Sequence, residues 1–159
     1  MKECTLCYLE KDGKYLMLYR NKKKNDPNKG KWIGVGGKLE KGETPDMCLV
    51  REVKEETGLT LNSFRKRGIV DFVSDEWEPE IMHLYTSDDF TGTVDTDCNE
   101  GDLKWIEIKK VPELPLWEGD RIFLEKLTRN EPYFEITLHY TGEKLTSVSQ
   151  TRELGYTAD

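Results

Sequence analysis

No stretch of the chain is apolar for long enough to cross a membrane. Its first residues, MKECTLCYLE, lack the basic-then-apolar run of a secretory leader. These two absences predict a cytoplasmic location and no membrane partner. Positive charge is also in short supply: 31 Asp and Glu outweigh 24 Lys and Arg, for a net charge of −7 and an isoelectric point near 5.0. A protein that holds a nucleic-acid polymer carries a basic face, so that partner is not expected. A small phosphate ester stays open, because a bound cation reverses the local field. Cysteine is scarce, with four in 159 residues. Cys4 and Cys7 form a C-x-x-C, but their surroundings read as a strand, where residues three apart point to opposite faces. Buried, reduced thiols are expected there rather than a metal pair. The D-x-[DN]-x-[DN]-G signature of a calcium loop is missing, as are internal repeats, linkers and low-complexity tracts.

What is present fits one domain over residues 1–159. Four Trp, seven Tyr and five Phe are ample for one core. A charged fraction of 35% and a mean hydropathy of −0.73 put dense charge on its surface. Residues 3–10 and 13–20 read as two strands joined at Lys11-Asp12-Gly13, a good hairpin signal. Residues 21–31, NKKKNDPNKGK, read as a mobile basic loop, either simply solvated or a rim that attracts phosphate. The clearest helix is 44–58, with Thr44 as N-cap, Pro45 at the first helical position, Asp46 at the positive end of the dipole and Gly58 as the stop. Strands are expected at 66–74, 79–86, 103–108, 133–140 and 144–148, and a second helix at 119–129. Two helices among several strands predict a mixed α/β sandwich.

On the first helix, 100° per residue gathers Asp46, Leu49, Val50, Val53 and Thr57 on one side. Glu52, Glu55 and Glu56 gather on another arc. Like charges three and four apart destabilise a helix by about 0.2–0.5 kcal/mol per pair. Such a face is either solvated or a platform for a hard divalent cation, which takes oxygen ligands and bridges to phosphates. Just before it, Gly34-Val35-Gly36-Gly37 permits close backbone approach to a ligand.

Residues 37–59, GKLEKGETPDMCLVREVKEETGL, resemble the Nudix box. Gly37, Glu43, Arg51, Glu52, Val53, Glu55, Glu56, Gly58 and Leu59 fill its fixed positions at its spacing. The resemblance implies the Nudix fold, an α/β/α sandwich around a mixed β-sheet. A looser similarity to the MutT-type branch rests on Gly30-Lys31-Trp32, Cys98-Asn99-Glu100-Gly101, Trp105 and Leu116-Trp117-Glu118-Gly119-Asp120. That branch hydrolyses oxidised purine nucleoside triphosphates such as 8-oxo-dGTP, in nucleotide-pool sanitisation linked to DNA repair.

The resemblance also implies roles. Glu52, Glu55 and Glu56, with the Gly36 carbonyl and Glu100, become ligands for magnesium, with manganese as a substitute. Arg51 orients the glutamates, Glu43 holds the loop-helix geometry, and Gly37 and Gly58 shape the motif. Metal-bound water attacks phosphorus while a carboxylate, Glu52 by preference or Glu55 or Glu56, takes the proton, giving a nucleoside monophosphate and pyrophosphate. Lys38 meets a phosphate or only water. Trp117 stacks on the base or is core, Asp120 reads the base edge or caps a helix, and Tyr8 and Trp32 are further candidates for the base pocket. Ile33 departs from the pattern: it stands where some MutT-type enzymes place a polar residue that reads the base. Another nucleoside or pterin triphosphate, or a catalytically silent nucleotide-binding module, is the alternative reading. Monomer and homodimer both stay open.

Overall fold

The computed structural model describes residues 2–94 and 101–151, so Cys98 and Glu100 lie outside the described residues. Eight strands form the centre: β1 (Lys2–Lys11), β2 (Lys14–Arg20), β3 (Trp32–Ile33), β4 (Thr60–Ser74), β5 (Glu80–Thr91), β6 (Gly101–Glu107), β7 (Phe134–Thr141) and β8 (Lys144–Gln150). Two helices, α1 (Pro45–Thr57) and α2 (Glu118–Thr128), pack against it, with a short 3-10 turn at Ile108–Glu113. The order across the sheet is β3-β2-β1-β5-β4-β7-β8, with β6 also on β2. β1 runs parallel to β5 and β4 parallel to β7, while the remaining pairs are antiparallel. The sheet is therefore mixed, as expected. Among the described residues no helix is long and apolar enough to cross a membrane.

The Asp12-Gly13 hairpin forms, and both residues take positive φ, 53° and 74°, as a tight two-residue turn demands. Its strands part at once. Only Glu10 and Lys11 of β1 pair with β2, and Lys2–Leu9 pair with β5 instead. That leaves β2 to β6 over seven residues. β4 and β5 extend well beyond the expected 66–74 and 79–86. Three register shifts along their ladder break the alternation that a period-2 reading relies on.

Alternation along β1 divides the interior into two cores. Leu6 and Tyr8 face one side, with Phe123, Leu124 and Leu127 of α2. Cys7 and Leu9 face the other, with Leu49 and Val53 of α1. Cys4 packs against the first cluster and Cys7 sits in the second, both as free thiols. The C-x-x-C is thus split across the sheet, and burial raises both thiol pKa values.

Helix α1 is capped as its sequence requires. The Thr44 hydroxyl accepts from Met47 N at 3.2 Å, and Gly58, at φ 80°, donates to the Lys54 carbonyl at 2.9 Å. Its buried face differs from the simple periodic reading. Val50 is 38% exposed, while Cys48, Leu49, Val53, Glu56 and Thr57 are buried. The helix is turned so that Glu56 rides inward beside the aliphatic stripe. Leu49→Ala should cost about 2–5 kcal/mol and Val50→Ala less than about 0.5 kcal/mol. Denaturant titration of both variants checks the rotation, and similar costs would contradict it.

Candidate active site

The segment that precedes α1 lies along β1. Thr5 N donates to the Gly37 carbonyl at 2.8 Å, Cys7 N to Val35 at 2.6 Å, and Leu39 N to Glu3 at 3.0 Å. Glycine is needed here because of this contact. A methyl at Gly36 would overlap the Thr5 carbonyl, and one at Gly37 would overlap the Glu52 carboxylate. Neither residue has positive φ, so close approach is the whole reason.

The pinned loop and α1 bring acids and backbone together. Gly36 N donates to Glu56 Oε1 at 2.8 Å, and the Glu52 carboxylate lies against Gly37. Glu52 and Glu56 are 15% and 7% exposed, whereas Glu55 is 59% exposed and turned to solvent. Among the described residues no three His, Cys, Asp or Glu side chains gather into a cage. Two shielded carboxylates beside a glycine backbone still form an all-oxygen donor set. That fits a hard divalent ion, which keeps waters and takes further ligands from a substrate's phosphates.

Arg51 holds the arrangement. Its Nε and Nη2 donate to both oxygens of Glu43 at 2.6 and 2.9 Å, its Nη1 donates to Glu52 Oε2 at 2.8 Å, and its Nη2 also reaches the Lys38 carbonyl at 3.1 Å. Glu55 is touched only loosely, at 3.4 Å. Glu43 additionally accepts from Glu40 N at 2.8 Å. The Arg51 hydrogen bonds, then the backbone one, hold the Glu43 carboxyl down to about 2. Glu43 first, then Glu52 and Glu55, push the Arg51 guanidinium further up.

A cleft of about 740 Å³ runs from this corner across the sheet. Gly36, Gly37, Lys38 and Glu52 line one end. Leu6, Phe72, Met82, Trp117, Asp120 and Tyr140 line the other, and Ile33, packed with the α1-side core, also touches the cleft. Trp117 meets Tyr140 edge to face at 5.2 Å, with Lys31 Nζ 4.6 Å from its ring centre. Asp120 is 4% exposed, and burial lifts its carboxyl to about 7 against the pull of Arg121 and Lys31.

Two residues expected in the base pocket stand elsewhere. Tyr8 is fully buried in the α2-side core, against Tyr15 and Phe123, and does not line the cleft. Trp32 packs on Tyr19 at 5.0 Å and is also off the cleft wall. Tyr8 shares the face of Leu6 but lies further along β1, where Tyr15 and Phe123 cover it, and the ring of Tyr19 lies against Trp32. Phe72, Met82 and Tyr140 line the cleft without having been singled out. Alternation marks them only as inward-facing, and the strand order decides what they face. The loop 21–31, expected to be mobile, is tied down in its second half: Arg20 pairs with Asp26 at 2.6 Å, and Gly30 N donates to the Arg20 carbonyl at 2.8 Å.

Residues 4–127 match the model of the NUDIX domain, and the chain belongs to the Nudix family. Within it this is a MutT-type Nudix hydrolase, as its neighbours indicate. It is 29% identical to the Nudix hydrolase YvcI of Bacillus subtilis, over 90% of this chain and 89% of that protein. It is 31% identical to the oxidized purine nucleoside triphosphate hydrolase of Mus musculus, over 70% and 71%. The crystal structure of the MutT protein from Bacillus halodurans superposes with a TM-score of 0.85 at 26% identity, over 96% of this chain and 99% of that one.

The Arg51–Glu43 pair generates a pH test. A carboxyl depressed to about 2 from 4.5 adds stability that is complete above pH 4.5 and lost as pH falls toward 2. The stability gap between wild type and Glu43→Gln should therefore be widest above pH 4.5 and close toward pH 2. Denaturant unfolding across that range measures it, and a pH-independent gap would remove the charge from the clamp.

Proposed function

We propose that this enzyme is a magnesium-dependent pyrophosphohydrolase of nucleoside triphosphates, oxidised purine nucleotides such as 8-oxo-dGTP among them. It would release a nucleoside monophosphate and pyrophosphate. One observation carries the reading: a single cleft joins a carboxylate-and-glycine corner to an apolar, aromatic end with one buried acid. The first suits a phosphate chain and the second a base. Support also comes from the relatives in Mus musculus and Danio rerio, at 31% and 29% identity, whose names carry that activity.

Glu52, Glu56 and the Gly36 carbonyl would hold the cation, with Glu100 and Glu55 as further oxygen donors. When bound, it would neutralise charge on the phosphates and acidify a water. The side chains do the rest. Glu52, shielded beside Gly37, takes a proton from the attacking water, and such base help is typically worth about 10²–10⁴ in rate. Arg51 keeps that carboxylate aimed at the loop by a charge-assisted hydrogen bond. Lys38, exposed on the cleft rim, meets a phosphate oxygen. Trp117 offers a face to the base, and Asp120 its carboxyl to the base edge. The water attacks phosphorus directly, so no bond forms between substrate and enzyme.

Glu52→Gln and Glu56→Gln should fold as the wild type does and lose at least about 10²-fold in kcat with magnesium. Steady-state assays on 8-oxo-dGTP, ordinary dNTPs, ADP-ribose and a nucleotide sugar test both roles and the substrate. Near wild-type turnover in both variants would end the mechanism, and preference for a different panel member would replace the substrate.

Asp120 yields a second test. Burial raises its carboxyl to about 7 from the usual 3.8, so below that pH it can donate a hydrogen bond and above it only accept one. Because this acid is raised, its contribution to stability falls as pH climbs from about 4 through 7 and then levels. Asp120→Asn should remove that slope and flatten any change in KM near pH 7. A pH series of KM and of thermal unfolding decides it, and an unaltered slope in the variant would locate the titration elsewhere.

A further inference from the structure

The apolar walls Leu6, Phe72 and Met82 give a purine edge no hydrogen-bond partner. Asn28, from a different element, lines the same cleft. Its backbone is well held. Asp26, its side chain 2% exposed, accepts from Arg20 Nε through one oxygen and from Asn28 N, at 2.9 Å, through the other. Lys29 N donates to the Asp26 carbonyl at 3.0 Å, and Lys31 N to the Asn28 carbonyl at 2.9 Å. The side chain is set too. Trp117 Nε1 lies 2.8 Å from Asn28 Oδ1. An indole nitrogen only donates, so the amide must present its oxygen to it. The amide nitrogen, with two protons, is therefore the group left over. Among the described residues none accepts a hydrogen bond from it.

We propose that Asn28 determines base specificity: its amide N–H donates to the edge of a purine lying against Trp117 and selects 6-oxopurine over 6-aminopurine nucleotides. This rests on the nucleotide reading of the cleft. The selection follows from hydrogen-bond parity. At position 6 of the ring guanine, hypoxanthine and 8-oxoguanine all present the O6 acceptor, whereas adenine presents the N6 donor, which an amide N–H aimed there cannot pair with. A free amide could flip to suit either edge. Asn28 cannot, because flipping would set its NH₂ against the Trp117 N–H. Sites that hydrogen-bond a substrate group reject the analogue that leaves them unpaired far more strongly than apolar walls reject a change of size.

Asn28→Asp isolates the donor. It keeps the size and an oxygen for Trp117 while replacing NH₂ by an acceptor. Any general loss from its added charge falls on both substrate classes and cancels in their ratio. The measurement is kcat/KM with magnesium for dGTP, dITP and 8-oxo-dGTP against dATP, together with calorimetric binding of dGMP and dAMP to the metal-free protein. The 6-oxo to 6-amino ratio should fall at least about tenfold in both assays. Asn28→Ala, which also frees Trp117, should lower the ratio and weaken every purine. An unchanged ratio in Asn28→Asp, with wild-type thermal stability, would overturn the assignment and leave Asn28 as a support for Trp117. A wild type that binds neither monophosphate and cleaves no purine triphosphate would overturn the nucleotide reading, and the assignment with it.

Discussion

The Arg51 guanidinium is the contact on which the site depends. Glu43, Glu52 and Glu55 all lie within its reach, and Glu40 approaches at 3.7 Å. Without a cation among them, carboxylates on adjacent turns would repel one another. Arginine suits the position because its planar fork can hold Glu43 through two bonds while a third proton points at Glu52. A lysine could not do both. The value of the pair lies in geometry more than in stability, since a partly shielded ion pair gives back much of its Coulomb energy as desolvation. Glu43, by also accepting from Glu40 N, ties the loop before the helix to the helix itself.

That tie has consequences on both sides. Toward the sheet, Arg51 reaches the Lys38 carbonyl, and the Gly34–Leu39 segment is held on β1 at three points. The glycines let it lie so close that Glu52 packs against Gly37 and Glu56 accepts from Gly36 N. Toward the core, Leu49 and Val53 lock the rotation of α1 against β1 and β2. Tyr85 adds a hydrogen bond to Asp46 at 2.6 Å. The carboxylates are thus aimed by apolar packing beneath and by one guanidinium above. Such preorganised charge suits phosphoryl chemistry, in which positioning and electrostatics do most of the catalysis.

The far end of the cleft is built by other means. Trp117 is fixed by its T-shaped contact with Tyr140, the ammonium of Lys31 and the amide of Asn28. Asp120 is desolvated behind it. A charged corner and a dry, aromatic one therefore face each other across a single sheet, as a ligand with an anionic chain and a flat base requires. The split of β1, two residues on β2 and eight on β5, leaves free the edge of β1 on which the Gly34–Leu39 segment pairs.

Much of this was legible in the chain alone because the signals are local. The caps of α1, the Asp-Gly turn, the opposite faces of Cys4 and Cys7, and the spacing of Arg51, Glu52 and Glu56 all depend on residues a few positions apart. Backbone geometry converts such spacing directly into direction. The family could be recognised from the same short stretch. Tertiary structure alone decided the rest. It chose which glutamates turn inward, because helix rotation is set by packing, and Val50 gave way to Cys48 and Glu56. It moved Tyr8 and Trp32 off the cleft, because alternation says that a side chain has a face but the strand order says what lies there. It also joined Asn28 to Trp117 across 89 positions, a pairing that no local rule encodes and that only the closing of the sheet around the cleft could make.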